Sequence, residues 1–302
     1  MGHAGDRRAI SADIRVRDVR RRSVLVDALA NRAHSGQYAL VTAVPPAGSS
    51  GEVNGLPSWR WREVAEFLSI TFLWTWSLHG ALVVTGERFS VASPVTAILY
   101  LPGLLAPSAA AVIVEARRAG RAAVRDLVRL ASPSRVRRSR LVVALAVQPL
   151  LTGAAFAISG ASAELSFDIV LAIGQVWVVA GEEFGWRGWL WPRAANRFGL
   201  RGGTAFVTAV WGLWHLPMFA VAGSSQAEDG VVVFAAAIAA WGAIHGVLQR
   251  GALSIAIAMV FHAMTNITVS TVDVGNQNAV ALVYASTAVA VFWWVGRRRP
   301  ER

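Results

Sequence analysis

The stretch VVAGEEFGWRGWLWP, residues 178–192, sets Glu182, Glu183 and Arg187 directly behind the apolar run Ile169–Ala180. A charge at the centre of a bilayer costs at least ~2.5–3.5 kcal/mol, so three together demand a reason. Glu183 and Arg187 stand four residues apart on a helix and can pair. Glu182 is rotated about 100° around the same helix and is left as a carboxylate facing elsewhere. Further on, His215 lies in WGLWHLP, two residues before Pro217, whose missing N–H disturbs a helix just after the histidine. His262 and Asn266, in HAMTN, are again four apart, so both polar groups point the same way.

This inventory can activate a water molecule and steady an oxyanion. Glu182 would take the proton, and His215 could share or relay it. His262 and Asn266 could donate to the oxygen of a tetrahedral intermediate. The chain has no cysteine, and no GxSxG marks a serine nucleophile. Glu182, His215 and His262 are also ordinary zinc ligands. With two histidines and no clear third tight ligand beyond the Glu pair, a metal-free scheme is favoured and zinc is the alternative cofactor. His245, in WGAIHGVL, matches no pattern and reads as packing or polar lining. His79 reads as an interfacial histidine.

The elements that carry these residues are apolar. Of 302 residues 55% are apolar and 16% charged, against about 25% charged in soluble domains. The mean hydropathy is +0.47. Runs of near-spanning length, roughly 20 residues, occur at about 64–85, 94–115, 141–160, 167–191, 204–222, 230–248, 252–271 and 279–297. The fold class is therefore all-α, a polytopic membrane helix bundle of about eight transmembrane helices. The net charge is +11 and lysine is absent. The arginines cluster in 116–140, 193–203, 249–251 and the C-terminal RRRPER, while the intervening loops are nearly free of arginine. Eight spans put every basic loop and both termini on the cytoplasmic side of a cell membrane. This distribution argues for a lipid bilayer as partner and against nucleic acid. Residues 1–62, Arg-rich and punctuated by Gly and Pro, read as a mostly disordered cytoplasmic tail. Residues 63–298 then form the membrane domain. The segment 117–130 reads as an amphipathic helix on the inner leaflet or as a plain basic loop. Trp186, Trp189 and Trp191 read as interface anchors near the cytoplasmic face.

At a helical rise of ~1.5 Å per residue, Glu182 lies ~15 Å, His215 ~18 Å and His262 ~16 Å from the cytoplasmic end of its span. Three polar sites on three spans thus fall at about one depth.

At these residues the chain resembles the CPBP intramembrane protease family, which includes type II CAAX prenyl endopeptidases and Abi-like bacteriocin-processing and immunity proteins. The family's Glu-Glu-x-x-x-Arg motif matches Glu182, Glu183 and Arg187. Its aromatic four residues before histidine matches Trp211 and His215, with Trp where Phe is usual. Its His-x-x-x-Asn matches His262 and Asn266. The resemblance covers about residues 165–270. It implies an intramembrane endopeptidase acting on a membrane-tethered peptide or protein. In it, Glu182 and His215 activate water, His262 and Asn266 form the oxyanion site, and Glu183 and Arg187 support them. The rival class is a non-enzymatic membrane protein with the same fold: a bacteriocin-immunity or scaffold protein, or a proton-coupled transporter. The absence of a clear internal repeat counts against the transporter.

Overall fold

The computed structural model describes residues 57–90, 92–132, 134, 136–160, 164–167, 169–250 and 253–297. Most of the tail expected over 1–62 lies outside them. The described chain is helical: α1 (Trp61–Thr85), α2 (Pro94–Leu104), α3 (Ala106–Arg129), α4 (Arg138–Ser159), α5 (Ile169–Glu183), a π-helical turn (Phe184–Leu190), α6 (Trp191–Trp214), a 3₁₀ turn (Leu216–Ala220), α7 (Ser225–Gln249), α8 (Ile255–Thr271) and α9 (Gln277–Arg297). By length and composition four stretches among the described residues can cross a bilayer: α1, the α2–α3 run Pro94–Arg129, α4 and α7; α8 is apolar but shorter. Large apolar side chains such as Leu73, Leu150, Trp177 and Val289 remain exposed on the outside. An apolar exterior of this kind is the face a membrane protein turns to lipid.

The segment 193–203, expected as a basic loop, is helical. It belongs to α6, whose course is broken once, at Gly199 with φ 71° and ψ 172°. A residue with a Cβ enters that left-handed region only at a cost, so glycine makes the corner between the limb that continues from the π turn and the limb that ends at His215. Breaks also fall at Ala119 and Gly120 in α3 and at Gly230 in α7. Beyond the break in α3, Arg121, Arg125 and Arg129 are exposed, as expected. Leu127, however, is buried in the protein core, so part of this segment's apolar side packs inward rather than on lipid.

Packing joins α1 to α2 and α3, α4 to α8, α5 to α8, α6 to α7, and α7 to α9. A two-residue antiparallel ladder, β1 (Glu164–Leu165) with β2 (Val272–Asp273), ties the entry of α5 to the exit of α8. Ser166 N–H adds a bond to Thr271 C=O at 2.8 Å. The other end of α8 is fixed by Ser254, whose Oγ caps Ile257 N–H and whose backbone is bracketed by the Gln249 amide. The ladder fixes α5 against α8 and the Gln249 bonds fix α8 to the end of α7, and α5 and α8 carry most of the candidate residues.

The core is rich in tryptophan. Trp186, Trp189, Trp211 and Trp214 are fully buried beside Phe67 and Phe261. This corrects the reading of Trp186, Trp189 and Trp191 as interface anchors. Trp189 stacks on Phe67 at 4.6 Å and Trp186 meets the same ring edge-on at 5.7 Å. Trp191 donates to Thr204 Oγ1 at 3.1 Å. The reason is local: the π turn lies against α3 and α6 inside the bundle.

Candidate functional site

The site is built where α5 gives way to the π turn. Trp191 N–H reaches Trp186 C=O, five residues back, so the helix is widened here. Turns of this kind are rare and concentrate at functional sites. Gly185 makes the approach to α3 possible, because a Cβ there would meet the Pro107 backbone oxygen at 2.4 Å.

Glu182, Glu183 and Arg187 are each at most 3% exposed. Arg187 Nη1 donates to Glu183 Oε1 at 2.8 Å, the expected pairing. The same oxygen is met by Nδ1 of His262 at 2.8 Å. A carboxylate already taking a guanidinium proton is an acceptor, so Nδ1 of His262 is the donor and Nε2 is left to the site. Glu183 Oε2 is buried without a partner. Glu182, expected to be free, is held: Trp211 Nε1 donates to its Oε2 at 2.9 Å. The Arg187 guanidinium lies 4.1 Å over the Trp211 ring, within the range of a cation–π contact. Trp211 is thus a hub that the sequence offered only as the aromatic before His215.

His215 ends α6, and its Nδ1 is 2.8 Å from the Trp211 carbonyl one turn earlier. That bond fixes Nδ1–H as donor and leaves Nε2 as acceptor. Pro217 then turns the chain into the 3₁₀ segment. The corner is held from behind: Trp214 Nε1 donates to Thr75 Oγ1 at 2.8 Å, and Thr75 donates to Gly103 C=O at 2.8 Å. Asn266 lies one turn beyond His262, and its Nδ2 donates to Gln175 Oε1 at 2.7 Å. So α8 addresses α5 twice, His262 to Glu183 and Asn266 to Gln175. The structure joins Glu182, Glu183, Arg187, Trp211 and His262 through direct contacts. His215 joins through Trp211, and Asn266 stands a helical turn away.

His245, read as packing or polar lining, packs beside the cluster, its ring 6.1 Å from Trp211 and 6.2 Å from His262. A second buried charge cluster sits on α3. Glu115 accepts from Trp189 at 2.9 Å, from Arg118 at 2.7 Å, and from Arg193. Arg193, which the charge pattern assigned to a loop, is 3% exposed. His79, read as interfacial, is buried and within 3.2 Å of the Tyr100 carbonyl.

Among the described residues no group of three or more histidine, aspartate or glutamate side chains is arranged to hold a metal ion. Nδ1 of both His215 and His262 is engaged, which leaves Nε2 of each ring to the site.

A helical bundle with an apolar exterior and a buried carboxylate–guanidinium–histidine network fits the class of membrane-embedded hydrolases. Residues 164–268 match the family model described as type II CAAX prenyl endopeptidase Rce1-like, in agreement with the CPBP resemblance. The match contains all three motifs and excludes Glu115. No curated protein matches the chain.

Proposed function

We propose that this protein hydrolyses a peptide bond of a membrane-associated substrate with water activated by Glu182 and His215. The water oxygen attacks the carbonyl carbon while its proton passes to Glu182, with His215 sharing the transfer. His262, protonated on both nitrogens in this scheme, keeps Nδ1–H on Glu183 and donates Nε2–H to the oxyanion, and the Asn266 amide donates beside it. When the C–N bond breaks, the proton held by Glu182 and His215 goes to the leaving nitrogen. Glu183 and Arg187 hold this arrangement and do not touch the substrate. No metal takes part.

The observation that supports the reading best is the single network linking the three motifs: Trp211 holds Glu182, and Glu183 bridges Arg187 and His262. A purely structural ion pair would satisfy Arg187 through Glu183 and leave Glu182 and His262 without purpose. The domain, residues 63–298, is further proposed to cross the membrane with both termini cytoplasmic, the Arg-rich tail preceding it. A cysteine placed at Ser225 should then be labelled only from the outer side, and labelling only from the cytoplasm would overturn that topology.

The reaction is tested with purified protein and membrane-tethered peptides, including C-terminal prenylated and non-prenylated forms. Wild type should cleave a subset, and Glu182→Ala should cleave none while still inserting into membranes. Glu182→Gln should be nearly as inactive, since an amide cannot take the proton. Full activity of Glu182→Ala would remove the carboxylate on which the proposal stands.

A further inference from the structure

His245 lies on α7 and is 2% exposed. Neither of its ring nitrogens has a hydrogen-bond partner among the described residues. Its neighbours are rings: Phe261 at 4.8 Å, Trp211 at 6.1 Å and His262 at 6.2 Å, all edge-on. A buried donor or acceptor without a partner is costly to the fold. An imidazole has one of each, and in this aromatic nest a phenylalanine would pack without either cost. A buried polar group that is left unpaired calls for a reason beyond packing. Two of its three neighbours already belong to the reacting cluster. Trp211 holds Glu182, and His262 is held by Glu183.

We infer that His245 is a further working residue of this site, one that positions the attacking water. One nitrogen of a neutral imidazole can hold a water by a single hydrogen bond while a carboxylate takes that water's proton from another side. Trp211 separates the two roles: its indole N–H fixes Glu182, and its ring packs at right angles to that of His245. The inference rests on the endopeptidase reading given above. It adds a residue that none of the three motifs contains, on a helix that carries none of them.

The test replaces His245 with Phe and with Gln. His245→Phe fills the nest and removes both unpaired nitrogens, so the protein in detergent should melt at or above the wild-type temperature. Its kcat should nonetheless fall by about 100-fold with KM little changed, because misplacing a reacting group by about 1 Å costs that much. His245→Gln, which keeps a donor and an acceptor, should recover about tenfold of the loss, the value of one retained hydrogen bond of about 1.4 kcal/mol. His245→Phe with wild-type kcat would show that the imidazole only packs. A fall confined to KM would place His245 on the substrate instead of the water and would equally overturn the inference. Glu182→Ala, run alongside, separates the two levels. If wild type shows no Glu182-dependent cleavage, the endopeptidase reading fails and this inference with it. If it does and His245→Phe is fully active, only this inference fails.

Discussion

Two buried charge clusters flank the π turn, and they are built to different ends. At the Glu115 cluster, both carboxylate oxygens are used: Oε1 by Trp189 and Arg193, Oε2 by Arg118. Arg193 also donates to the Trp189 carbonyl at 3.0 Å and lies 4.1 Å over the Trp189 ring. This is a staple between α3 and the start of α6. At the Glu183 cluster, one oxygen carries both Arg187 and His262 while the other is bare, and His245 nearby has two unpaired nitrogens. Unmet polar capacity in a low-dielectric interior is costly, and proteins keep it where chemistry uses it. The first cluster uses both oxygens of its carboxylate and leaves only Arg193 Nε unpaired; the second leaves a carboxylate oxygen and both nitrogens of the neighbouring His245 without partners among the described residues.

The largest contrast should come from replacing each ion pair by apolar side chains of similar size, an exchange that is often neutral for stability. Glu115→Leu with Arg193→Met should keep turnover within a few-fold of wild type. Glu183→Leu with Arg187→Met should lose it entirely, since His262 is then unaimed. Equal turnover in the two double variants would erase the distinction. Next in size are the single truncations. Arg187→Ala strands the Glu183 carboxylate and Arg193→Ala strands part of Glu115, and each loss of one buried partner costs about 3–5 kcal/mol. Both should lower the melting temperature, with Arg187→Lys milder than Arg187→Ala. An Arg187→Ala protein of unchanged stability but no activity would assign Arg187 to catalysis rather than support.

Asn266→Ala follows. Removing one oxyanion donor typically costs about 10²–10³ in turnover, so residual cleavage should be measurable where Glu182→Ala shows none. If the two were equally dead, Asn266 would need a larger role than one hydrogen bond. The smallest effect expected is none: exhaustive chelation should leave activity intact, and elemental analysis should find no stoichiometric zinc. Chelator-sensitive activity restored by zinc would replace the metal-free scheme and leave the residues standing.

How far the sequence reaches follows the same divide. Glu182, Glu183, Arg187, His215, His262 and Asn266 stand out because an ionisable or amide side chain inside an apolar helix is anomalous at once. Pairing four residues apart on one helix, Glu183 with Arg187, is also legible. Partners on different helices are not, because they depend on how each helix is rotated in the bundle. Hence the bond of Trp211 to Glu182, of His262 to Glu183 and of Asn266 to Gln175 came only with the structure. Arg193 was misread for the related reason that an arginine near a helix end resembles every other loop arginine. Its carboxylate lies 78 residues away. The tryptophans were misread because an indole beside a charged run looks the same at an interface and inside a core. The helical runs themselves were legible from hydropathy, whereas the corner at Gly199 turned an expected loop into helix. The β1–β2 ladder is too short for any periodic pattern to announce.

The widened turn at Phe184–Leu190 bears on what lengths of sequence this site can tolerate. A backbone bond that spans five residues instead of four takes up one residue more than an ordinary helical turn. Deleting a single residue there would let the helix close to regular pitch, and the side chains within the turn, Arg187 above all, would lose their present placement against Glu183 and α3. Substitutions across the hydrophobic exterior are absorbed locally; a one-residue deletion in this stretch is not. In lineages of this fold the segment from Glu182 to Trp191 should therefore hold its length as well as Glu182, Glu183 and Arg187, and a gap there would mark a chain in which the proposed reaction is lost.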